Sequence, residues 1–397
     1  MKLLFRSVGA VFAATVLLTA TWVAAQSRGR EAEGHESPLE EFAVASDGDI
    51  LLVPVTFEGN RHLFALDTGA VITMYDSELP LGSPKKRATI ETTSDTRTVE
   101  MFDSPNASLG NLNLRAGPLV LASDLTLLRQ VSGLEIRGII GMDFLSKYVV
   151  QVDFENGRVR FFHSAPEHAG DRIPVSFQRN VPCIEAYLPS LQRRETFMID
   201  TGSTYFGNMK QELLDVIARS GKARRIGDAL TAGLSGTEAD GEWLVKSISV
   251  GKFESRDVVM TQTKANLLGL GFWSRFVVTF DFPNGAMYLK KSKRPRPPND
   301  LNMSGLHVLR IGGKTVVQSV DEGTAAARAG IKPDDVLVTV DGDRADQLSM
   351  FALRRRFCSE GKELHLTVSR AGKTIQATTI LGTLMRLTSA ETNPGHD

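Results

Sequence analysis

Hydrophobic and polar positions alternate over short runs through most of this chain. From Phe42 onward, runs such as ILLVPVTFEG and RHLFALDTG are separated by Gly, Asn and Asp, which is typical of β-strands joined by turns. Helical spacing is first clear in residues 208–221, where Leu213, Leu214 and Ile217 would share one face. The pattern therefore predicts a mostly β protein.

A segment of the chain occurs twice. GMDFLSKYVVQVDFENG (residues 141–157) and GLGFWSRFVVTFDFPNG (residues 269–285) are identical at nine of seventeen positions. Both contain alternating strands that meet at Asn-Gly, a strong hairpin turn signal. The repeat predicts two homologous β lobes, at residues 42–164 and 165–294.

The pattern changes after the second lobe. Residues 295–300 are rich in Pro and are expected to form a linker. Residues 301–383 then predict a smaller domain of strand, short helix, strand and Asp-Gly turn, with an amphipathic helix at 347–357 and a closing hairpin. Residues 384–397 are expected to be a flexible tail.

The first 25 residues have the pattern of an export signal. Lys2 and Arg6 precede an uncharged apolar run at residues 8–25, and small residues at Val23 and Ala25 suit cleavage before Gln26. The alternative is an uncleaved membrane anchor, because about eighteen apolar residues can just span a bilayer. With cleavage, we expect a periplasmic or secreted bacterial protein without a stable membrane span, and a flexible segment at 26–41.

Composition narrows the possible functions. The 397 residues include 46 Lys plus Arg and 46 Asp plus Glu, so no overall charge favours nucleic acid as a partner. Cys183 and Cys358 allow at most one disulfide, and the seven His residues show no zinc spacing. We therefore expect neither a metal nor an organic cofactor.

The triplet Asp-Thr-Gly also occurs twice, each time at the end of an apolar run. The first copy begins at Asp67 and is followed by an Ile-Ile-Gly at residues 139–141, and the second begins at Asp200 and is followed by a Leu-Leu-Gly at residues 267–269. This pairing resembles the aspartic peptidases, in which each lobe supplies one such loop. The resemblance covers about residues 45–290 and implies a bilobal acid-protease fold with the active site between the lobes.

Peptide hydrolysis needs two such carboxyl groups, because one must accept a proton from water while the other donates one. Two adjacent carboxyl groups share a proton, and their pKa values separate. The resemblance implies that Asp67 and Asp200 are catalytic, that their loops bond across the lobe interface, and that small residues allow close approach. The expected supporting residues are Thr68, Gly69, Ala70, Thr201, Gly202 and Ser203.

Ala70 and Ser203 differ where pepsins usually carry a hydroxyl in both lobes. Because a hydroxyl can bond the ionised carboxylate, the missing one predicts a higher dyad pKa and activity at milder acidity than that of a digestive enzyme. Asp143, where lobe 2 has Gly271, is expected to be either a buried polar partner or a turn residue, and not catalytic.

The family covers its cleft with flap hairpins, and each lobe has one candidate. They are ordinary surface hairpins in the alternative interpretation, and neither has a Tyr at its tip. The flap candidates are Thr93, Ser94 and Asp95 in lobe 1, and Gly233, Leu234, Ser235 and Gly236 in lobe 2.

The segment GTAAARAGIKPDDVLVTVDG (residues 323–342) resembles a bacterial PDZ domain. Such domains bind a C-terminal peptide as an added strand beside an edge strand and a helix. The candidates for the carboxylate-binding loop and edge strand are Ser304, Gly305, Leu306 and His307, with the helix at 347–357 as the other wall. The domain either captures peptides or docks on its own protease lobes.

These patterns together predict an exported aspartic endopeptidase that acts on peptides or proteins, with a catalytic unit that is complete in a monomer. A peptide-binding scaffold that keeps the fold without turnover is the alternative from another functional class. A processing enzyme of narrow specificity is a third interpretation.

Overall fold

The computed structural model of the chain describes residues 37–46, 48–91, 96–115, 117–233, 236–294 and 301–382. In these residues the protein is mostly β, with four sheets and short helices. Two related β lobes are followed by a smaller C-terminal domain, so the predicted fold class is confirmed. No helix of the described residues is both long enough and apolar enough to cross a membrane.

Lobe 1 contains β1 (Glu40–Ala43), β2 (Leu52–Phe57), β3 (Asn60–Leu66), β4 (Met74–Asp76), β5 (Lys86–Glu91), β6 (Thr96–Asp103), β7 (Ala107–Leu109), β8 (Leu112–Asn113), β9 (Leu119–Ser123), α1 (Thr126–Ser132), β10 (Ile136–Ile140), α2 (Met142–Leu145), β11 (Val149–Asp153) and β12 (Arg158–Phe162). Lobe 2 contains β13 (Asp171–Pro174), β14 (Ser176–Gln178), β15 (Val181–Leu188), β16 (Arg193–Ile199), β17 (Gly207–Lys210), α3 (Gln211–Arg219), β18 (Ala223–Gly233), β19 (Gly236–Val250), β20 (Phe253–Thr263), β21 (Leu267–Leu268), α4 (Leu270–Trp273), β22 (Phe276–Asp281) and β23 (Ala286–Lys291). The C-terminal domain contains β24 (Leu306–Ile311), β25 (Lys314–Val320), α5 (Ala325–Arg328), β26 (Val336–Val340), β27 (Asp343–Arg344), α6 (Met350–Arg356), β28 (Glu363–Arg370) and β29 (Lys373–Ile380).

The strand before the first Asp-Thr-Gly shows how burial carries that loop into the interior. In β2, Val53, Val55 and Phe57 are buried and alternate with more exposed residues, because successive side chains of a strand point to opposite faces. In its partner β3 the alternation stops, and residues 64–66 are all buried. The chain is therefore enclosed on both faces where it reaches Asp67.

One sheet takes strands from both lobes, in the order β1-β12-β11-β22-β23-β13. Its central pair is the antiparallel β11 and β22, in which Gln151 lies opposite Thr279 and donates to the Thr279 hydroxyl at 3.0 Å. These two residues occupy the same position of the sequence repeat. An approximate two-fold axis therefore passes through this pair and relates the lobes.

The separate sheets of the lobes share their central order. Lobe 1 has β4-β10-β3 and lobe 2 has β17-β21-β16. In each, the last strand before the Asp-Thr-Gly runs parallel to the short strand of the Ile-Ile-Gly or Leu-Leu-Gly segment. This parallel pairing brings the two motifs of each lobe to the same edge of its sheet.

The C-terminal domain has its own hydrophobic core. Its sheet has the order β24-β25-β26-β28-β29, with β27 paired to β26, so β24 is an edge strand. Leu306 and Val308 of β24 and Met350 and Leu353 of α6 are buried in the same cluster. A groove between β24 and α6 is the place where this topology would receive a peptide.

Several elements differ from the predicted ones. The helix predicted at 208–221 is Gln211–Arg219, because residues 207–210 pair with β20 and β21 as β17. The helix predicted at 347–357 is Met350–Arg356, and it begins after Ser349, whose hydroxyl accepts from the N–H of Ala352 at 3.0 Å.

The boundaries of lobe 1 also differ. Strand β1 begins at Glu40, inside the segment predicted to be flexible, and the Glu40 carboxylate accepts from the backbone and the side chain of Asn111, both at 2.6 Å. Helix α1 was not predicted at all. Its seven residues are followed by Gly133, which has the left-handed φ of 70° that favours glycine at a helix C-terminus.

Candidate active site

The two aspartates lie at equivalent strand ends, one in each lobe. The N–H of Asp67 donates to the carbonyl of Ile140 at 3.0 Å, and the N–H of Asp200 donates to the carbonyl of Leu268 at 3.0 Å. Each aspartate is thus anchored to the segment that follows it by about seventy residues in the sequence. The structure brings together the two copies that the sequence repeat paired.

The two threonines join the loops across the lobe interface. The hydroxyl of Thr68 donates to the carbonyl of Ile199 at 2.7 Å and accepts from the N–H of Thr201 at 3.0 Å. The hydroxyl of Thr201 donates to the carbonyl of Leu66 at 2.8 Å and accepts from the N–H of Thr68 at 3.1 Å. Both side chains are buried, so these four bonds fix the relative position of the loops away from water.

The glycines of both triplets face the carboxyl group of the other lobe. A Cβ at Gly202 would lie 2.5 Å from Cγ of Asp67, and a Cβ at Gly69 would lie 3.0 Å from Cγ of Asp200. A contact of 2.5 Å is essentially never made by a real Cβ atom, and one of 3.0 Å is tighter than most. Glycine is therefore required here for close approach of the two loops.

Each carboxyl group accepts two backbone hydrogen bonds from its own loop. The Oδ1 atom of Asp67 accepts from Gly69 at 2.8 Å and from Ala70 at 3.2 Å. The Oδ1 atom of Asp200 accepts from Gly202 at 2.9 Å and from Ser203 at 3.2 Å. The backbone N–H of Gly202 in the other lobe also interacts with Asp67, so the two carboxyl groups face each other across the lobe interface.

The protein environment raises the pKa of both aspartates. Burial is the main cause for each, and the backbone hydrogen bonds oppose it. For Asp200 the negative charge of Asp67 adds to the effect of burial, which brings the pKa to about 8. The two side chains are hydrogen-bonded to each other, so the pair retains one proton over a range that extends to neutral pH.

Ala70 and Ser203 make the same contact with their aspartates, through the backbone N–H at 3.2 Å. The hydroxyl expected from the resemblance is therefore not what distinguishes the two carboxyl groups in this geometry. Burial raises the pKa of both aspartates, and the charge of Asp67 raises the pKa of Asp200 further.

Asp143 is a half-buried polar partner of the first loop, closer to the first of the two interpretations than to a plain turn residue. Its Oδ1 atom accepts from the N–H and the hydroxyl of Thr73 at 2.9 and 2.7 Å. The Thr73 hydroxyl in turn accepts from the N–H of Gly141 at 3.2 Å. Asp143 thereby holds the loop after the first triplet against the Ile-Ile-Gly segment.

Both flap candidates fall on hairpins, formed by β5 with β6 and by β18 with β19. Thr93, Ser94 and Asp95, and likewise Leu234 and Ser235, lie outside the described residues. Gly233 and Gly236 are described and face each other at the ends of β18 and β19. Their role as a cover of the cleft stays a prediction.

Sequence reasoning missed two ionisable residues near the second loop. The carbonyl of Tyr205 accepts from the N–H of Gly271 at 3.0 Å, and burial and Glu242 raise the pKa of Tyr205 to about 12. Glu242, in β19, is 6% exposed, and burial together with Asp321 and Asp228 raises its pKa to about 7. Nothing in an alternating strand distinguishes such a Glu from an exposed one.

The expected carboxylate-binding loop of the C-terminal domain is closed by a neighbouring side chain. Oδ1 of Asn302 accepts from the N–H groups of Ser304 and Gly305 at 3.0 and 3.2 Å. The N–H of Leu306 donates to the Ser304 hydroxyl at 3.0 Å. His307, the last candidate, has its Nε2 atom 3.0 Å from both carboxylate oxygens of Asp321.

Comparison with known proteins supports one part of this picture directly. Residues 294–381 match the family model of the PDZ domain, so the prediction of such a domain is confirmed. No curated protein matches the chain. Among solved structures, the aspartic proteinase from Irpex lacteus is similar with a TM-score of 0.42 and 12% identity, over 64% of this chain and 97% of that chain. A similarity with a TM-score this low supports no conclusion about the function of this chain.

Proposed function

We propose that the protein is an aspartic endopeptidase that hydrolyses peptide bonds in peptides or proteins. The supporting observation is the pair of aspartates, hydrogen-bonded to each other and supported by reciprocal threonine bonds from two lobes. Asp67 and Asp200 are each half-buried as residues, so neither is sealed inside the protein.

The pKa difference assigns a role to each carboxyl group. Asp200 has the raised pKa that suits it to carry the shared proton, and Asp67 is then the ionised partner. Asp67 accepts a proton from the attacking water, and Asp200 donates its proton to the substrate carbonyl oxygen. The proton taken up by Asp67 then passes to the leaving nitrogen as the C–N bond breaks, and Asp200 recovers its proton from a hydroxyl of the tetrahedral intermediate as the product carboxyl group forms. The chemistry balances with water alone and needs no cofactor.

The test uses protein that lacks residues 1–25 and a mixed peptide library, with and without pepstatin. Asp67→Asn and Asp200→Asn should each lower the cleavage rate by about 10²–10⁴-fold, because each removes one of the two proton-transfer groups. Asp257→Asn is the matched control, since Asp257 is exposed, pairs with Lys246 at the surface at 3.0 Å, and has a φ of 49° that Asn also tolerates.

Cleavage that survives either dyad substitution would remove the proposal. Complete absence of cleavage by the unsubstituted protein would favour the second candidate, a peptide-binding scaffold. The PDZ match supports that candidate, because the domain binds peptides without any turnover by the lobes.

We also propose export to the periplasm or the medium, which is supported by the charged start and apolar run of residues 1–25. These residues lie outside the described part of the structure. Fractionation of bacteria that express the chain with and without them tests the proposal. Equal distribution of both forms in the cytoplasm would contradict it.

A further inference from the structure

The groove of the PDZ domain lies against lobe 1. Gly133, at the end of α1, stands between the two walls of the groove. A Cβ at Gly133 would be 2.7 Å from Cγ of Met350 in α6 and 3.7 Å from Cβ of Arg310 in β24. The segment 126–134 thus occupies the space beside the edge strand where a peptide would bind.

Arg354 joins the groove to that segment. Its Nη2 atom donates to the carbonyl of Val131 in α1 at 2.7 Å and to the carbonyl of Val308 in β24 at 3.3 Å. One guanidinium therefore connects the helix wall, the edge strand and the segment from lobe 1. Burial at this junction lowers the Arg354 pKa, against the opposing effects of Tyr205 and Asp49.

Helix α1 also contacts lobe 2. It lies against β18, the first strand of the long hairpin formed with β19. In that hairpin Glu242 has a raised pKa, to which the charge of Asp321 in the PDZ domain contributes after burial. The domain is therefore joined to lobe 1 through α1, and α1 in turn contacts lobe 2. Separation of the lobes would have to disturb these contacts.

Helix α1 is itself held firmly on lobe 1. Asp76 is fully buried and pairs with Arg129 of α1 and, at 3.2 Å, with Arg137 of β10. Strand β10 then ends at Ile140, whose carbonyl accepts from the N–H of Asp67. The docked segment is thus continuous with the support of the first catalytic loop.

We propose that the PDZ groove holds residues 126–134 of lobe 1 as an internal ligand, and that the docked domain restrains the cleft until a C-terminal peptide displaces the segment. The restraint rests on the proposed endopeptidase function, whereas the docking does not. Because segment and peptide need the same groove, binding of one weakens binding of the other. Asn302 must also leave the carboxylate loop for a peptide to enter.

The test compares the full chain with Arg354→Ala, with Arg354→Lys and with the control Arg355→Ala. Arg355 is the neighbouring residue on α6 and is exposed. All are made first in an Asp67→Asn background, so that hydrogen exchange is measured without cleavage. The probes are a mixed library of short peptides with free C-terminal carboxylates and the same library amidated at the C-terminus.

In Arg354→Ala, amide exchange in residues 126–134 and in β24 should become about tenfold faster, with the lobe cores unchanged. Arg354→Lys should have a smaller effect, because lysine keeps the positive charge but lacks the planar guanidinium group with its several N–H donors. The carboxylate library should also alter exchange in these segments of the parent protein, and the amidated library should not. Unchanged exchange in Arg354→Ala would overturn the docking, and equal effects of both libraries would overturn displacement by C-terminal peptides.

With Asp67 restored, Arg354→Ala should raise kcat/KM for library cleavage several-fold over the parent and over Arg355→Ala. An unchanged or lower kcat/KM would overturn the restraint. If exchange responds as expected and no variant cleaves any peptide, the endopeptidase proposal fails and the docking is supported.

Discussion

Lobe 1 and lobe 2 hold their aspartates with the same backbone hydrogen bonds, whose lengths differ by no more than 0.1 Å between the lobes. The elements that surround the two loops differ. The link between β9 and β10 in lobe 1 contains helix α1, whereas residues 264–266 alone join β20 to β21 in lobe 2. Lobe 2 instead has helix α3 between β17 and β18. The chemistry constrains the loops and their two supporting strands, and the connections are free to acquire other contacts.

One row of residues across three neighbouring strands can be compared directly between the two lobes. In lobe 1 Tyr75 and Glu100 both lie opposite Ala122, and in lobe 2 Asn208 and Glu242 both lie opposite Thr261. Each row thus contains a glutamate in the second strand of the candidate flap hairpin.

The two glutamates have different surroundings. The Glu100 side chain is 45% exposed and pairs with Arg87 at 3.6 Å. Glu242 is 6% exposed, and after burial the charge of Asp321 in the PDZ domain contributes to its raised pKa. Equivalent positions therefore have different surroundings: Glu100 lies at the surface, and Glu242 is buried.

The largest effects are expected where the two loops approach most closely. Gly202→Ala should lower kcat/KM by about 10²-fold or more, because its Cβ displaces the Asp67 carboxyl group and small misplacements of reacting groups are costly. Gly69→Ala should have a smaller effect, since its Cβ would lie 3.0 Å from Asp200 and not 2.5 Å. Peptide cleavage assays measure both, and Gly117→Ala, whose Cβ has no close contact, is the control. The reverse order would contradict the geometry.

The reciprocal threonines predict equal losses of stability from the two lobes. Thr68→Val and Thr201→Val each remove one donated and one accepted hydrogen bond from a buried hydroxyl. Each variant should lower the free energy of unfolding by about 2–4 kcal/mol. Denaturant unfolding measures the change. Thr→Ser at either position keeps the hydroxyl and should recover most of the loss. A large effect in one lobe alone would show that the bonds are not equivalent.

Glu242 predicts that the stability of the protein depends on pH. The folded-state pKa of about 7 exceeds the ordinary value of 4.5, so the folded protein holds this proton more tightly than the unfolded chain. Stability contributed by the protonated group is therefore lost as pH rises from about 4.5 through 7. Glu242→Gln should increase the free energy of unfolding at pH 8 by about 1–3 kcal/mol and change it little at pH 4. Glu100→Gln is the control, and an equal gain from it would contradict the role of burial.

The sequence predicted the parts of this molecule that depend on local pattern. The apolar run before Asp67 and Asp200 identifies a buried strand end, and the repeat at residues 141–157 and 269–285 implies two lobes. The structure then pairs Gln151 with its own counterpart Thr279. Local pattern was sufficient because each of these features is encoded in a short, continuous stretch of the sequence.

The docked PDZ groove could not be predicted in this way. Arg354 and Val131 are separated by 223 positions, and neither lies in a recognisable motif. Strand β17 is another case, because Asn208 and Met209 continue a helical pattern and become a strand only by pairing with β20 and β21. In both places tertiary contacts decide what the local sequence leaves open.

The smallest effect is expected at the position directly after each triplet, where lobe 1 has Ala70 and lobe 2 has Ser203. Ser203→Ala and Ala70→Ser should each shift the pH–rate profile by less than about half a pH unit, because the contact with the aspartate is the backbone N–H at 3.2 Å in both lobes. Activity should be lost as pH rises through about 8, where Asp200 releases the shared proton. It should also be lost at low pH, where Asp67 gains a proton at a pKa above the ordinary value. The optimum therefore lies well above pH 2. A shift of a full unit in Ser203→Ala would show that the hydroxyl reaches the carboxylate during catalysis, and would return the origin of the asymmetry to the residue after Gly.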